Sequence, residues 1–158
     1  MSTTLSMVEL RDGGSRDIAV IDILMQAAFD PRFGEAWTRS QCLGVLAMPG
    51  VWLTLAYVDD RPAGFALSRQ VMDEVELLLL ATAPDMRRRG VGAALLRSVE
   101  ARARSSGAVS LHLEVREGND AIKLYRRAGL NKIGQRRDYY RGTGGQQFDA
   151  LTFRRDLS

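Results

Sequence analysis

The chain reads as an α/β domain, a twisted mixed sheet of six to seven strands flanked on both faces by about four helices. Three observations lead there. Two N-terminal stretches place apolar residues at helical spacing, three strand-like segments then follow one another between residues 51 and 83, and a strand, helix, strand series spans residues 75–116. The last is a βαβ unit, so its two strands should run parallel through a right-handed crossover. At 158 residues the chain is long enough for one domain, residues 1–158, with a core of its own and no repeat or linker-like tract.

The elements follow in order. "SMVEL" is a short first strand, and "SRDIAVIDILMQAAF" is a helix with apolar positions 18, 21, 24, 25 and 28 and Ser15 as its N-cap. "EAWTRSQCLGVLAM" reads as a second helix, stopped by Pro49 and Gly50. "VWLTLAYV", a turn at "DDRPAG", "FALSRQVM" and "EVELLLLATA" form a meander whose last strand is apolar on both faces, as the buried middle of a sheet requires. A third helix runs from Val91 to about Ser106, with Val91, Leu95 and Val99 on one face and Gly107 as its stop. In "AVSLHLEV" the residues alternate: Val109, Leu111, Leu113 and Val115 point one way, and Ser110, His112, Glu114 and Arg116 the other. "NDAIKLYRRAGL" is a fourth helix with Asn119 as N-cap and Gly129 at its end, and "LNKIGQRRDYY" and "QQFDALTFRRDL" are two closing strands around "RGTGG".

Composition excludes several classes. The lone Cys42 cannot form an internal disulfide, and with only one histidine, His112, there is no Cys/His set for a structural zinc, so no metal is expected and a reducing cytoplasm is the expected compartment. The N-terminus lacks a signal-peptide pattern, and the apolar run "CLGVLAMPGVWLTLAYV" is broken by Pro49 and Gly50 short of the roughly 20 residues a membrane span needs. The net charge of +3 conceals a division: residues 1–83 carry 6 Arg against 11 acids, and residues 84–158 carry 16 Lys plus Arg against 8 acids. The C-terminal part invites an anion, although a basic solvated face would look the same.

"PDMRRRGVGAALL", Pro84 to Leu96, sits between a buried strand and a helix. There the first helical amides lack acceptors, the helix dipole adds partial positive charge, and Gly90 and Gly92 let a bulky anion approach the main chain. Arg87, Arg88 and Arg89 add full charges. The stretch is neither a P-loop, which needs "GK" followed by Ser or Thr, nor a dinucleotide fingerprint, because Leu95 stands where a small residue is required. It fits R-x-x-G-x-G through Arg87, Gly90 and Gly92.

That pattern, between a strand and a helix, resembles the pyrophosphate loop of the GNAT superfamily of acetyl-CoA-dependent N-acetyltransferases, and the resemblance covers most of the chain. "LEVREGNDAIKLYRRAGL" and "RRDYYRGTGGQQFDAL" resemble the RimI-type subgroup, which acetylates the N-terminal alanine of a small-subunit ribosomal protein. The resemblance implies the GNAT fold, with its parallel strand pair splayed to admit acetyl-CoA. It implies Leu80, Ala81 and Thr82 as partners of the pantetheine, Arg88, Gly90, Val91, Gly92 and Ala93 with their arginine neighbours as holders of the pyrophosphate, and Asn119 as a further cofactor contact. Glu114 is implied as proton acceptor and Tyr125 as proton donor, with a ribosomal protein N-terminus as acceptor. The chain departs from the family in three places. The segment from Glu114 to Tyr125 is one residue shorter than usual, Leu130 replaces a phenylalanine, and "FDPRFGEAW" only loosely matches the segment that borders the substrate groove.

The chemistry gives these residue types a purpose. An α-amine with a pKa of about 7.7–8.0 is mostly ammonium at neutral pH and must lose a proton before or during attack on a thioester. A carboxylate at position 114 can accept it, directly or through a water, most readily once the nitrogen has bonded to carbon. A phenol, with a pKa of about 10 against about 8.5 for a thiol, suits hydrogen bonding to the leaving sulfur better than complete proton transfer. His112 lies on the same face as Glu114 and is an alternative base, Cys42 reads as core, and of Tyr139 and Tyr140 strand alternation allows one, Tyr140, to face the substrate. Two alternatives stay open: acetylation of a small-molecule amine such as an aminoglycoside or polyamine, and a basic nucleic-acid-binding module. The second lacks clustered aromatic stacking residues, so no direct nucleic-acid contact and no membrane partner is expected.

Overall fold

The computed structural model describes residues 7–158. Its seven strands are β1 (Val8–Gly13), β2 (Val51–Val58), β3 (Arg61–Val71), β4 (Glu74–Thr82), β5 (Ser110–Arg116), β6 (Asn131–Arg141) and β7 (Gln147–Asp156). The helices are α1 (Ile18–Ala28), α2 (Arg39–Leu46), α3 (Val91–Ser105) and α4 (Ala121–Arg127). The strands form one sheet in the order β1-β2-β3-β4-β5-β7-β6, and every pair is antiparallel except β4 with β5. Of the first strand's expected span, Ser6 lies outside the described residues.

Ala63 to Ser68 of β3 are buried one after another, so both faces of that strand are covered, and α1 and α3 each pack on β3 and β4. α3 inserts Val91, Leu95, Leu96, Val99 and Ala103, an apolar stripe at helical spacing. Phe65 and Phe153 anchor the core from β3 and β7, and Leu130 is buried with them, so the residue after Gly129 serves packing.

Local starts differ from expectation at two helices. Ser15 does not cap α1; the chain enters through a 3-10 turn, Ser15–Asp17, and Asp17 Oδ2 accepts from the Gly14 amide at 2.9 Å. α2 begins at Arg39 rather than Glu35, because Thr38 and Gln41 form a reciprocal capping box: Thr38 Oγ1 accepts from the Gln41 amide and Gln41 Oε1 from the Thr38 amide. Glu35, Ala36 and Trp37 are thereby left outside the helix, in a connection that begins with the 3-10 turn Pro31–Phe33.

Two departures from regular pairing shape the sheet around the site. Partnering of β4 with β5 runs from Glu74↔Ser110 to Leu77↔Leu113 and stops there, while β4 continues to Thr82 on β3 and β5 to Arg116 on β7. β4 carries one extra residue, Leu78, where Leu67 and Ser68 of β3 face Leu79 and Leu77, and this bulge bends the strand as it leaves β5. In β6 four steps from Arg136 to Tyr140 oppose two from Ala150 to Phe148. Asp149 holds this larger bulge, accepting from the Asp138 amide at 2.9 Å and from Gln135 Nε2 at 2.6 Å.

The loop at 30–37 is fastened to the β6–β7 hairpin by close backbone approach. A Cβ on Gly34 would overlap the Arg141 carbonyl, one on Gly142 would overlap the Arg32 carbonyl, and the Thr143 amide donates to Pro31 O at 3.2 Å. Phe33 meets Phe148 edge-on, with ring centroids 5.2 Å apart. Gly34 also has φ of +69°, which costs an L-residue about 1–2 kcal/mol. Gly34→Ala should therefore lower unfolding stability by more than that strain alone. Gly44→Ala, inside α2 with nothing within 4 Å of the added methyl, should raise it by about 0.5–1 kcal/mol. Urea unfolding of the two variants should show opposite signs.

Candidate active site

Where β4 and β5 part, a cleft of about 1210 Å³ opens between their C-terminal ends. Val75, Leu77, Leu79 and Ala81 of β4 turn into the core, whereas Glu76, Leu78, Leu80 and Thr82 are half-buried. The second apolar face of "LLLL" is thus the wall of a cleft rather than a surface covered by a helix. Beyond Leu77 the β4 edge toward β5 has no strand partner, and an extended chain bearing amides could pair with it.

The next segment forms one end of the cleft. Met86 is buried and ties down the 3-10 turn Pro84–Met86, Arg88 takes φ of +65°, and Gly90 takes φ of +77° as the N-cap of α3 without a side-chain cap. The first intrahelical bond is Ala94 N–H to Gly90 O, so the amides of Val91, Gly92 and Ala93 have no acceptor within the helix. These residues line the cleft with Gly90, whose Cα has no other atom within 4 Å of where a Cβ would stand. Gly92 is closely packed: a Cβ there would lie 3.1 Å from Leu124 Cδ2 and 3.7 Å from Thr82 Oγ1. Arg87 and Arg88 border the cleft; Arg87 Nη2 donates to Ala28 O at 3.3 Å. Arg89 does not border it: it is exposed, set between the two left-handed residues Arg88 and Gly90.

The other end gathers titratable groups. Glu114 on β5 faces the cleft and forms an ion pair with Arg136, Oε1 to Nε 3.1 Å, with about three quarters of its side chain shielded. Tyr125 on α4 is buried, and its phenol is held above its ordinary pKa by that burial first, then by the negative charge of Glu35 and by Tyr140. Tyr140 is raised in the same way, by burial, then by Glu35, Tyr139 and Glu114, with Arg116 opposing. Both phenols keep their protons at neutral pH. Tyr139 and Tyr140 both line the cleft, contrary to simple alternation, because the bulge between Arg136 and Tyr140 breaks the two-residue period.

Glu35 escaped the sequence reading because it was placed inside a helix; the Thr38–Gln41 capping box was the signal that leaves it in a loop. Its Oε1 accepts from Arg116 Nε at 2.9 Å and its Oε2 from Asn119 Nδ2 at 2.8 Å. The Arg116 guanidinium lies over the Phe33 ring at 3.7 Å. Asn119 Oδ1 accepts from the Ala121 amide at 2.8 Å, but the N-cap of α4 is Asp120, not Asn119 as expected, because the helix starts one residue later, at Ala121. Cys42 is buried in the core, away from the cleft, and burial pushes its thiol pKa up. His112 does not line the cleft; it pairs with Glu76 at 3.5 Å where β4 and β5 are still joined. Among the described residues no helix is long and apolar enough to cross a membrane, and no three His, Cys, Asp or Glu side chains gather as a metal site would need.

A family model described as the acetyltransferase (GNAT) family matches residues 19–130. The ribosomal protein bS18-alanine N-acetyltransferase of Salmonella typhimurium (strain LT2) is 43% identical over 94 residues, 59% of this chain and 63% of that protein. N-alpha-acetyltransferase RimI of Mycobacterium tuberculosis (strain H37Rv) is 43% identical over 91 residues, 57% of this chain and 54% of its own. The aligned part thus spans less than two thirds of these curated relatives. The crystal structure of the ribosomal-protein-S18-alanine N-acetyltransferase from Escherichia coli superposes with a TM-score of 0.85 at 28% identity, covering 96% of this chain and 95% of that one. Ard1 from Thermoplasma volcanium shares the fold, with a TM-score of 0.81 at 24% identity over 96% of this chain and 98% of its own.

The His112–Glu76 pair has a measurable signature. Hydrogen bonding to Glu76 raises the His112 pKa above 6.5, burial opposes, and the charges of Glu76 and Glu74 assist against Arg154. A raised histidine stabilises the fold fully below 6.5 and loses that contribution as pH climbs through the raised value. Imidazole proton NMR should place the wild-type midpoint above 6.5, and Glu76→Gln should lower it.

Proposed function

The chain belongs to the GNAT acetyltransferase family, and on that premise we propose that it transfers an acetyl group from acetyl-CoA to the N-terminal α-amine of a protein. The N-terminal alanine of a small-subunit ribosomal protein is the acceptor, which places the reaction in the cytoplasm, with residues 1–158 acting as one catalytic domain. The observation that carries this reading is the placement, in one cleft, of three helix amides without helical acceptors at the start of α3 and of Glu114, Tyr125 and Tyr140 across the parted strands. The names of the relatives, alanine N-acetyltransferases of ribosomal protein S18 and an N-alpha-acetyltransferase, support the choice of acceptor.

The residues fit acetyl-CoA. Three amides without helical acceptors, the open space at Gly90 and two cationic side chains suit a pyrophosphate, and the unpartnered β4 edge from Leu78 to Thr82 suits an extended chain containing amides. Bound there, acetyl-CoA supplies an acyl group activated as a thioester. Val91, Gly92 and Ala93 hold the phosphates through main-chain N–H, Arg87 and Arg88 add charge, and Leu80, Ala81 and Thr82 align the pantetheine. Asn119, engaged by Glu35 and by the head of α4, contributes to the same wall.

Glu114 takes the proton that the amine must shed, directly or through a water. Its ion pair with Arg136 means the incoming ammonium replaces one cation by another, and Arg136, well exposed on β6, swings clear at little expense. Tyr125 donates a hydrogen bond to the sulfur as negative charge develops on it. Because burial and Glu35 make this phenol a weaker acid than usual, donation without full proton transfer is its role. Tyr140 and the loop carrying Phe33 and Glu35 border the acceptor.

A panel of acceptors tests the reading. A short peptide beginning with alanine and bearing arginines in its first six residues should be acetylated at its α-amine, located by mass spectrometry, with kcat/KM well above that for lysine side chains, spermidine or an aminoglycoside. Glu114→Gln should slow the reaction most at neutral pH and recover part of the loss as rising pH deprotonates the amine beforehand. Efficient turnover of spermidine or an aminoglycoside with the peptide untouched would transfer the proposal to small-molecule amines.

The cradle has its own test. Gly92→Val adds branches where Leu124 and Thr82 already press on the first turn of α3. Calorimetric titration should show acetyl-CoA affinity reduced at least about tenfold in a variant with wild-type circular dichroism, and an unchanged Kd would remove the pyrophosphate from this site.

A further inference from the structure

The Glu35 side chain keeps only 9% of its exposure, and both of its oxygens are engaged on different elements. Arg116 stands at the end of β5, two residues beyond Glu114, with its Nη1 donating to Glu117 O at 3.0 Å. Asn119 stands at the head of α4. The amide orientation that satisfies Glu35 through Nδ2 is the one that presents Oδ1 to the Ala121 amide, so reversing it would set oxygen against oxygen and leave the Ala121 amide without its acceptor. Tyr125 lies four residues after Ala121, one turn further along the same face. Seating the loop does not require this charge, since the Gly34 and Gly142 approach and the Phe33–Phe148 contact already fasten it. Nor is a buried ion pair a general source of stability, because apolar replacements of similar volume are often neutral.

We propose that Glu35 is a positioning residue of this site: shared between Arg116 and Asn119, it locks the acceptor-side loop and the first turn of α4 to the end of β5, and so fixes Tyr125 relative to Glu114. The inference rests on the transferase reading above and adds no reacting group to it.

Glu35→Gln retains the volume but cannot accept from both partners, since its amide nitrogen must face Arg116 or Asn119, each of which offers N–H there. Amide exchange of Ala121 followed by NMR should accelerate at least about tenfold in this variant, while amides in the middle of α3 keep their protection. With the alanine-first peptide kcat should fall about tenfold, and the Kd of acetyl-CoA should stay within about twofold. In a Tyr125→Phe background the same substitution should lower kcat by less than about threefold, because the group it places is already gone. Glu35→Asp, which keeps the charge on a shorter arm, carries the same expectations if the amide variant does not fold. Unchanged exchange at Ala121, or an equal loss of kcat in both backgrounds, overturns the positioning role. A wild-type protein that acetylates no amine would instead sink the transferase reading, on which the exchange measurement does not depend.

Discussion

Everything at the site depends on β4 and β5 ceasing to pair after Leu77 and Leu113. A sheet interior normally leaves no backbone group without a partner, so an opening in its middle exposes amides and carbonyls that only water or an extended ligand can satisfy. The chain limits the damage. β4 stays bonded to β3 as far as Thr82, and β5 stays bonded to β7 as far as Arg116, so each strand is held from its outer side while the inner edges diverge. The extra residue at Leu78 bends one strand, and α3 packs on both β4 and β5. Glu114 reaches the cleft because it lies just past the last shared position.

The two ends of the cleft are built from different electrostatics. At the α3 end the charge is positive, part of it main-chain and fixed in direction by the helix and the rest carried by Arg87 and Arg88. At the other end it is carried by side chains, and each carboxylate already has a cationic partner: Arg116 for Glu35 and Arg136 for Glu114. The division of net charge between the chain's two parts maps only partly onto this arrangement, because Glu114 lies in the basic part and Glu35 in the acidic one. Much of the C-terminal excess stands on β6, an exposed edge strand bearing Lys132, Arg136, Arg137 and Arg141, where charge also discourages pairing with another chain.

The features legible from sequence were those written locally. The spans of β2 and α3 follow from composition and period, and the parallel pairing of β4 with β5 from the strand, helix, strand order; the cap of α4 falls on Asp120, one place after the expected Asn119. What escaped was either a competing local signal or a contact between distant residues. Ser15 yielded to a 3-10 turn closed by Asp17, and the start of α2 was set by Thr38 and Gln41. The joint exposure of Tyr139 and Tyr140 to the cleft needs a bulge whose brace, Asp149, stands on another strand. Glu35 meets its partners 81 and 84 residues away, a distance at which no spacing rule operates. The roles of the aligned motif residues came from family resemblance, not from pattern.

The interlocked glycines at 34 and 142 have a bearing on how the site assembles. The cradle end is built from one stretch of chain, β4 through β5, whose contacts close early because little loop entropy opposes them. The other end is different: Gly34 lies against Arg141 and Gly142 against Arg32, contacts that span most of the chain. One end of the cleft is therefore local in sequence and the other is the most non-local contact described in the molecule. The loop at 30–37 is thus held by contacts with the β6–β7 hairpin, whereas the helix start at Gly90 is held by its own neighbours in sequence.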